Sequence, residues 1–470
     1  MLSIFVLSDP DSTSKILLNI YSKLSQLFEE IFIYGGAFLL LFLLGIAISK
    51  YGSIKVNMPN KPIYSIYSWC SMLFAAGIGA TILYWSTIEW IDYYNILKSD
   101  NLIIDYDSLL YARTYPIFHW GFTAWAIYCL PVIAFTLAIT KKPDSNLTFS
   151  GILNINNFIL RSILDVLFIG SIICAAGVGL GLSFPLISSV ISEIFTIERS
   201  YILDISTILL CSIIFATSAY VGVQRGIKKL SNINVIFLVI FLFFILILGP
   251  TKYIIANSLE TVTFYLANYI NISLTTGTTI SLDWTVFYWA WWFALAPMVG
   301  TFLVNISNGK TLREIIFGTI LIGSLGCTLC MLILSNLSIS LFETNIIDSP
   351  NIIENSLLSR EALVVNTIAS LNFGNYLLIG FVIILIIFLC TTYDSASYVL
   401  AAASMKSASV SSSKSLRLVY AILLVIQPTL LMYLNGIDSF KWIMVIFSVP
   451  LLLINLLLIF SIIKNVYRFK

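Results

Sequence analysis

Eleven apolar stretches run through this chain, near 31–49, 66–96, 116–140, 163–192, 203–222, 231–249, 284–306, 313–341, 373–402, 415–434 and 439–466. Each is close to the roughly 20 residues that a helix needs to cross a hydrocarbon core. Only helices and closed barrels satisfy their backbone in lipid, and runs of this length are helical, so the expected class is an all-α polytopic membrane protein. Composition agrees. Of 470 residues, 59% are hydrophobic and 10% charged, where a soluble domain carries about a quarter charged. A net charge of +2 offers nucleic acid no basic surface. One histidine, His119, leaves no histidine-rich metal site. Cys70, Cys129, Cys174, Cys211, Cys327, Cys330 and Cys390 all lie in apolar segments and read as small core residues. A further stretch, 253–271, carries Asn257, Glu260 and Asn268 among apolar residues and reads as an amphipathic helix lying at the interface.

Loop charges alternate in sign. Lys50, Lys55, Lys61, Lys141, Lys142, Arg161, Arg225, Lys228, Lys229, Lys310, Arg313, Lys406, Lys414, Arg417, Lys464, Arg468 and Lys470 follow the odd-numbered spans. Asp100, Asp105, Asp107, Glu193, Glu198, Glu343, Asp348, Glu354 and Glu361 fall in the loops between. Basic loops face the cytoplasm, so a multi-pass cell-membrane protein with a cytoplasmic C-terminus and an outside N-terminus is expected. Residues 1–30 open on "MLSIFVL", too short to span and without the basic start of a signal peptide. They are expected to form an extracellular or truncated N-terminal segment.

After a leading helix and cytoplasmic loop (31–60), the remaining spans divide into two sets of five, at 61–250 and 284–470, joined by an interfacial helix and linker at 251–283. An odd number of spans per set turns the two halves in opposite directions, the inverted-repeat plan of many secondary transporters. The first span of such a half is broken at mid-membrane, where bared backbone binds substrate and ions. "MLFAAGIGAT" (72–81) supplies glycines for a break at Gly77 and Gly79. A packing motif of small residues reads equally well. In the second half Pro297 removes a backbone donor in mid-span.

That second half opens on "WTVFYWAWWFALAPMVGT" (284–301). On the third span Trp120, Trp125 and Tyr128 fall on one side of a helix. Together with Trp292, and with Trp291 adjacent, they can wall a box. Ring faces suit a quaternary ammonium, which has no N–H to donate. Trp85, Trp90 and Trp284 read as interfacial belt residues. Glu89 and Asp394, acids inside spans, are candidates for gating or helix pairing, and His119 for a hydrogen bond to a neighbouring helix. A membrane enzyme would want a clustered catalytic set, and a channel repeated pore segments; neither pattern is present.

"MLFAAGIG", "FHWGFTAWAIY", "FYWAWW" with the following Pro297, Gly300 and "RE", "DSAS" (394–397) and "QRGIKKLSNIN" (224–234) resemble, in order and spacing, the signature of the betaine/choline/carnitine transporter family. The resemblance implies twelve spans, two leading helices and two inverted five-helix repeats of the sodium-symporter type; the family's first helix is then missing or truncated here. It implies an aromatic box of Trp120, Trp125, Tyr128 and Trp292 beside Trp291, with substrate also meeting Gly77, Ile78 and Gly79. Leu295 stands where betaine carriers have another aromatic. It implies a sodium ion held by the carbonyls of Ala75, Ile78 and Phe388 and the hydroxyls of Thr391 and Thr392, where back-bonding threonines are the plain alternative. Lys228 matches the arginine that stands in for the ion in sodium-independent exchangers, or is an ordinary cytoplasmic charge. The implied function is sodium-coupled uptake of glycine betaine or a related zwitterion, with carnitine exchange as alternative and a choline carrier more remote. No other cofactor is implied. Family members often form trimers. Osmosensing members carry long charged tails; the ending "KNVYRFK" leads to no expectation of a tail-based switch.

Overall fold

The computed structural model describes residues 9–55, 62–99, 105–142, 146–221, 224–355, 358–405, 413–431 and 436–467. Lys61, Asp100, Lys406, Arg468 and Lys470 of the charge pattern lie outside them. The described residues form eighteen α-helices: α1 Pro10–Ile48, α2 Ile66–Ile78, α3 Thr81–Ser99, α4 Asp105–His119, α5 Phe122–Lys141, α6 Phe149–Ile152, α7 Phe158–Phe195, α8 Tyr201–Val221, α9 Gln224–Leu248, α10 Thr251–Leu274, α11 Val286–Ile306, α12 Leu312–Phe317, α13 Gly323–Glu343, α14 Ser349–Glu354, α15 Arg360–Ala369, α16 Gly374–Ala403, α17 Lys414–Leu431 and α18 Gly436–Val466. Among them, eight continuous helical segments are long and apolar enough to cross a bilayer, and the α2–α3 pair, bent by 58°, makes a ninth. The other two expected spans are α8 and α17.

Helix α1 departs from expectation. It begins at Pro10 and runs 39 residues, where residues 1–30 were expected to stand apart from a span starting near 31. Asp9 caps it, accepting from the Ser12 N–H at 3.1 Å, with Pro10 in the first turn. Ser14, Leu17, Tyr21, Ser25, Glu29 and Phe32 form a buried stripe at three- and four-residue spacing. It packs on α10 and on the π-helical turn Ser281–Thr285 that precedes α11. Glu29 fixes that turn, accepting from the Gly277 N–H at 2.7 Å and the Ser281 hydroxyl at 2.5 Å.

The packing pattern itself carries the repeat. The first half is α2–α3, α4–α5, α7, α8 and α9; the second is α11, α12–α13, α16, α17 and α18. Exchanging the halves maps observed neighbours onto observed neighbours. α11 packs on α5 as α13 packs on α3. α9 packs on α2 as α18 packs on α11. α9 packs on α16 as α18 packs on α7. The α7–α16 and α8–α17 contacts map onto themselves. The bundle of first and second helices thus sits against a frame built from α7, α8, α16 and α17. The two first helices differ, however. α11 continues through Pro297 without a break, and Gly300 lets it close on α5, where a Cβ would stand 2.9 Å from Pro131 Cβ. The seven cysteines are free, five of them buried.

Candidate substrate and ion site

The break between α2 and α3 falls at Gly79, whose φ of +63° and ψ of −158° only glycine adopts without strain. Thr81 seals one edge, its hydroxyl donating to the Ile78 carbonyl at 2.9 Å. Gly77 serves a different purpose from the one expected. A Cβ there would meet the Trp125 ring at 2.6 Å, and one at Gly323 would meet it at 2.1 Å. The bare backbones at 77 and 323 are what let Trp125 lie between α2 and the π turn Gly318–Ile322 that leads into α13.

Across α5 and α11 the expected rings converge. Trp120 meets Trp292 edge to face at 4.8 Å between centroids. Tyr128 meets Trp292 at 5.5 Å and Trp125 at 5.6 Å, again edge to face. Trp292 is held by its own indole N–H, which donates to the His119 carbonyl at 2.9 Å. Trp291 stacks on Trp292 at 5.1 Å with 9° between planes, and its N–H donates to the Ala175 carbonyl on α7 at 3.1 Å. It therefore backs the box. All five rings are buried, and the Tyr128 hydroxyl has no hydrogen-bond partner among the described residues. Leu295 is buried one turn beyond Trp291.

Two contributors were not foreseen. Tyr288, one turn before Trp292, lies 5.9 Å from both Trp120 and Trp292 and stacks on His119 at 4.8 Å. The i, i+4 spacing to Trp292 is the signal that could have found it. Glu89, fully buried on α3, accepts from the Trp120 N–H at 2.8 Å and the Tyr93 hydroxyl at 2.5 Å. Tyr93 also meets His119 Nδ1 at 2.7 Å, and His119 Nε2 meets Thr285 Oγ1 at 2.9 Å. Two proton assignments satisfy the chain. With Glu89 ionised, Thr285 donates to Nε2, Nδ1 to Tyr93, and Tyr93 and Trp120 to the carboxylate. With Glu89 protonated, the acid donates to Tyr93, Tyr93 to Nδ1 and Nε2 to Thr285, Trp120 donating to the other carboxyl oxygen. A buried carboxyl group thus stands behind the Trp120 indole. Trp85, Trp90 and Trp284 do not face lipid as expected. They are buried, Trp90 donating to Ser338 Oγ at 3.1 Å and Trp85 meeting Trp284 edge to face at 5.6 Å.

The frame helix α16 brings Phe388, Thr391 and Thr392 to the break. Phe74 and Phe388 rings lie 6.2 Å apart. A Cβ on Gly79 would stand 3.0 Å from Thr392 Oγ1. The threonines divide the two readings made of them: Thr391 back-bonds to the Phe388 carbonyl at 2.9 Å, while the buried Thr392 hydroxyl has no partner among the described residues. Helix α16 thus brings Phe388, Thr391 and Thr392 to the broken end of α2, the helix that carries Ala75 and Ile78. An unpaired hydroxyl beside carbonyls fits a small alkali cation. Lys228 is not part of that set. Its ammonium lies 5.8 Å over the Tyr64 ring, ahead of α2 and roughly four helical turns from the break. Asp394 is buried on α16 and Asp92 pairs with Arg360 at 2.6 Å.

An all-helical membrane protein of two matched five-helix halves, with a broken helix and an aromatic box between them, is a secondary carrier by architecture. The chain belongs to the BCCT, betaine/carnitine/choline transporter family, whose profile matches residues 1–470. It is 28% identical to the carnitine transporter of Acinetobacter baumannii over 90% of this chain and 79% of that protein. It is 27% identical to the glycine betaine transporter OpuD of Bacillus subtilis over 98% of this chain and 90% of that one. It is 28% identical to an ectoine/hydroxyectoine transporter of Virgibacillus pantothenticus over 93% and 89%. A substrate-bound, outward-open Na+-coupled sialic acid symporter shares 12% identity with it at a TM-score of 0.48, over 92% of this chain and 86% of that structure.

Proposed function

We propose that this transporter moves a small quaternary ammonium zwitterion of the glycine betaine or carnitine kind into the cell, coupled to sodium. The observation that carries the reading is the box itself: Trp120, Tyr128 and Trp292 meet edge to face beside the α2–α3 break. A cation seated among these rings would meet their π faces, each worth up to about 2 kcal/mol when dry. Relatives named for glycine betaine and for carnitine support the same substrate class. The unpaired Thr392 hydroxyl at Gly79 supports sodium. For exchange without sodium, a built-in cation has to reach the break, and Lys228 stands over Tyr64 instead. Substrate would enter between the halves, be held by Trp120, Trp125, Tyr128 and Trp292 with Trp291 behind, and meet the backbone of Gly77, Ile78 and Gly79. Sodium on Ala75, Ile78, Phe388, Thr391 and Thr392 would tie the bundle to the frame. A homotrimer with cytoplasmic C-termini completes the reading.

Uptake of labelled glycine betaine and carnitine into proteoliposomes, with and without an inward sodium gradient, tests it. Trp292→Ala should abolish uptake in a folded protein. Thr391→Ala with Thr392→Ala should remove the sodium response. Normal uptake by the first variant, or an unchanged sodium response in the second, would sink the box or the ion site respectively.

A further inference from the structure

Lys441 lies on α18, less than two turns from that helix's start, and its side chain is almost wholly buried at 8% exposure. Its ammonium sits 4.2 Å over the ring of Trp284. Asp283, Asp438 and Asp92 are the acids in its neighbourhood and Arg360 a second cation. Among the described residues no carboxylate comes within 4.0 Å of it, Asp92 being taken by Arg360. A buried ammonium without an anion is costly, and one ring face offsets only part of the desolvation. Lys441 is therefore a buried cation that sits on a ring and that no carboxylate contacts among the described residues.

Its position says which partner fits. From Trp284 the aromatic surface continues to Tyr288 at 6.2 Å, and from Tyr288 to Trp292 at 5.9 Å. Lys441 thus stands at the outer end of the wall that leads to the box, on the side that the loop charges make external. The two halves also match here. Lys228, near the start of α9, lies over Tyr64 just ahead of α2, as Lys441 near the start of α18 lies over Trp284 just ahead of α11. Each half thus sets a lysine on the ring that stands just ahead of its first helix.

We infer that Lys441 is a charge filter at the outer mouth, receiving the carboxylate of an incoming zwitterion and opposing the entry of cations that have none. The inference rests on the reading of the substrate as a quaternary ammonium zwitterion. A bare cation such as choline competes with the lysine for the Trp284 face and is repelled there by the ammonium, with no carboxylate of its own to offset it. A betaine offers an anion to the lysine and its trimethylammonium to the rings beyond. After passage, the ammonium returns to Trp284.

The test is competition against labelled glycine betaine uptake by unlabelled glycine betaine and choline, in proteoliposomes of the full chain. In the wild type, choline should compete poorly. Lys441→Gln should narrow the ratio of the two inhibition constants about ten-fold or more, the size of a charge-assisted hydrogen bond. Lys441→Arg should keep the ratio. A Lys441→Gln protein that takes up betaine with an unchanged ratio overturns the filter while leaving the substrate reading intact. Should that variant not fold, the wild type still decides. Glycine betaine methyl ester keeps the trimethylammonium and masks the carboxylate, so it should compete about ten-fold worse than betaine; equal competition overturns the inference. A wild type that takes up no quaternary ammonium compound removes the substrate reading, and the filter with it.

Discussion

At the scale of single residues, Glu89 is the buried carboxyl group that backs the aromatic box. The Trp120 indole donates to its carboxylate at 2.8 Å. A charged acceptor pushes electron density into the ring system, which makes the π face a better seat for a positive charge. When ionised, the carboxylate also attracts a quaternary ammonium through the ring. Glu89→Gln preserves shape and one acceptor oxygen but cannot ionise. The expected outcome is a folded protein whose KM for the quaternary ammonium rises about ten-fold, the weight of one charge-assisted bond, with sodium dependence retained. Initial-rate uptake across a substrate series reads it, and an unmoved KM would make the carboxylate a packing element only. This role could not be read from the chain. Glu89 is 31 positions from Trp120 and 30 from His119, and nothing local to any of them signals that they meet. The box residues themselves were legible, because Trp120, Trp125 and Tyr128 share a helical side and Trp292 sits too deep in its span for the interfacial belt.

Among the elements, the α2–α3 break is the hinge on which the carrier reading turns. Its glycines were visible in "MLFAAGIGAT", yet the two do different work: Gly79 takes the left-handed backbone, and Gly77 makes room for Trp125. Gly79→Ala forces a side chain into a φ of +63° and within 3.0 Å of Thr392 Oγ1. Backbone strain of this kind costs on the order of 1–3 kcal/mol. The expected result is a modest fall in the thermal midpoint in detergent and a much larger loss of sodium-driven uptake, because the added methyl meets the Thr392 hydroxyl, which has no partner among the described residues. A large loss of stability with sodium dependence intact would separate the hinge from the ion site. Elsewhere the elements show why local signals mislead. Pro297 announces a break that does not occur: membrane helices tolerate proline when neighbours close around it, and α5 packs along α11 there. In α1, Lys15, Lys23, Glu29 and Glu30 interrupt the apolar run, so hydropathy alone starts the span near 31. The buried stripe of Leu17, Tyr21 and Phe32 carries the helix back to Pro10.

Taken as a whole molecule, the chain is two matched halves whose contacts interchange, and that symmetry is what permits two mouths to open in turn around one site. Trp85, Trp90 and Trp284 show what sequence hides at this scale. Trp90 and Trp284 lie near span ends, where tryptophan ordinarily marks the interface, but the packing of the halves turns them, like Trp85, inward. The Asp92–Arg360 pair, bidentate at 2.6 and 2.8 Å, ties bundle helix α3 to the short helix α15 ahead of the frame. Asp92 holds the Arg360 guanidinium charged against the burial that opposes it, so the tie persists across the neutral range. If the bundle rocks on the frame, distances between them must change while distances within the frame do not. Ser99 at the end of α3, Ile197 after α7 and Phe373 before α16 are exposed and accept spin labels. The Ser99–Ile197 distance distribution, measured by pulsed electron resonance in nanodiscs, should shift or split on adding sodium with glycine betaine. The Ile197–Phe373 distribution should stay fixed. Equal movement of both pairs would mean that the frame deforms with the bundle, and one rigid body turning against another would no longer describe the transport step.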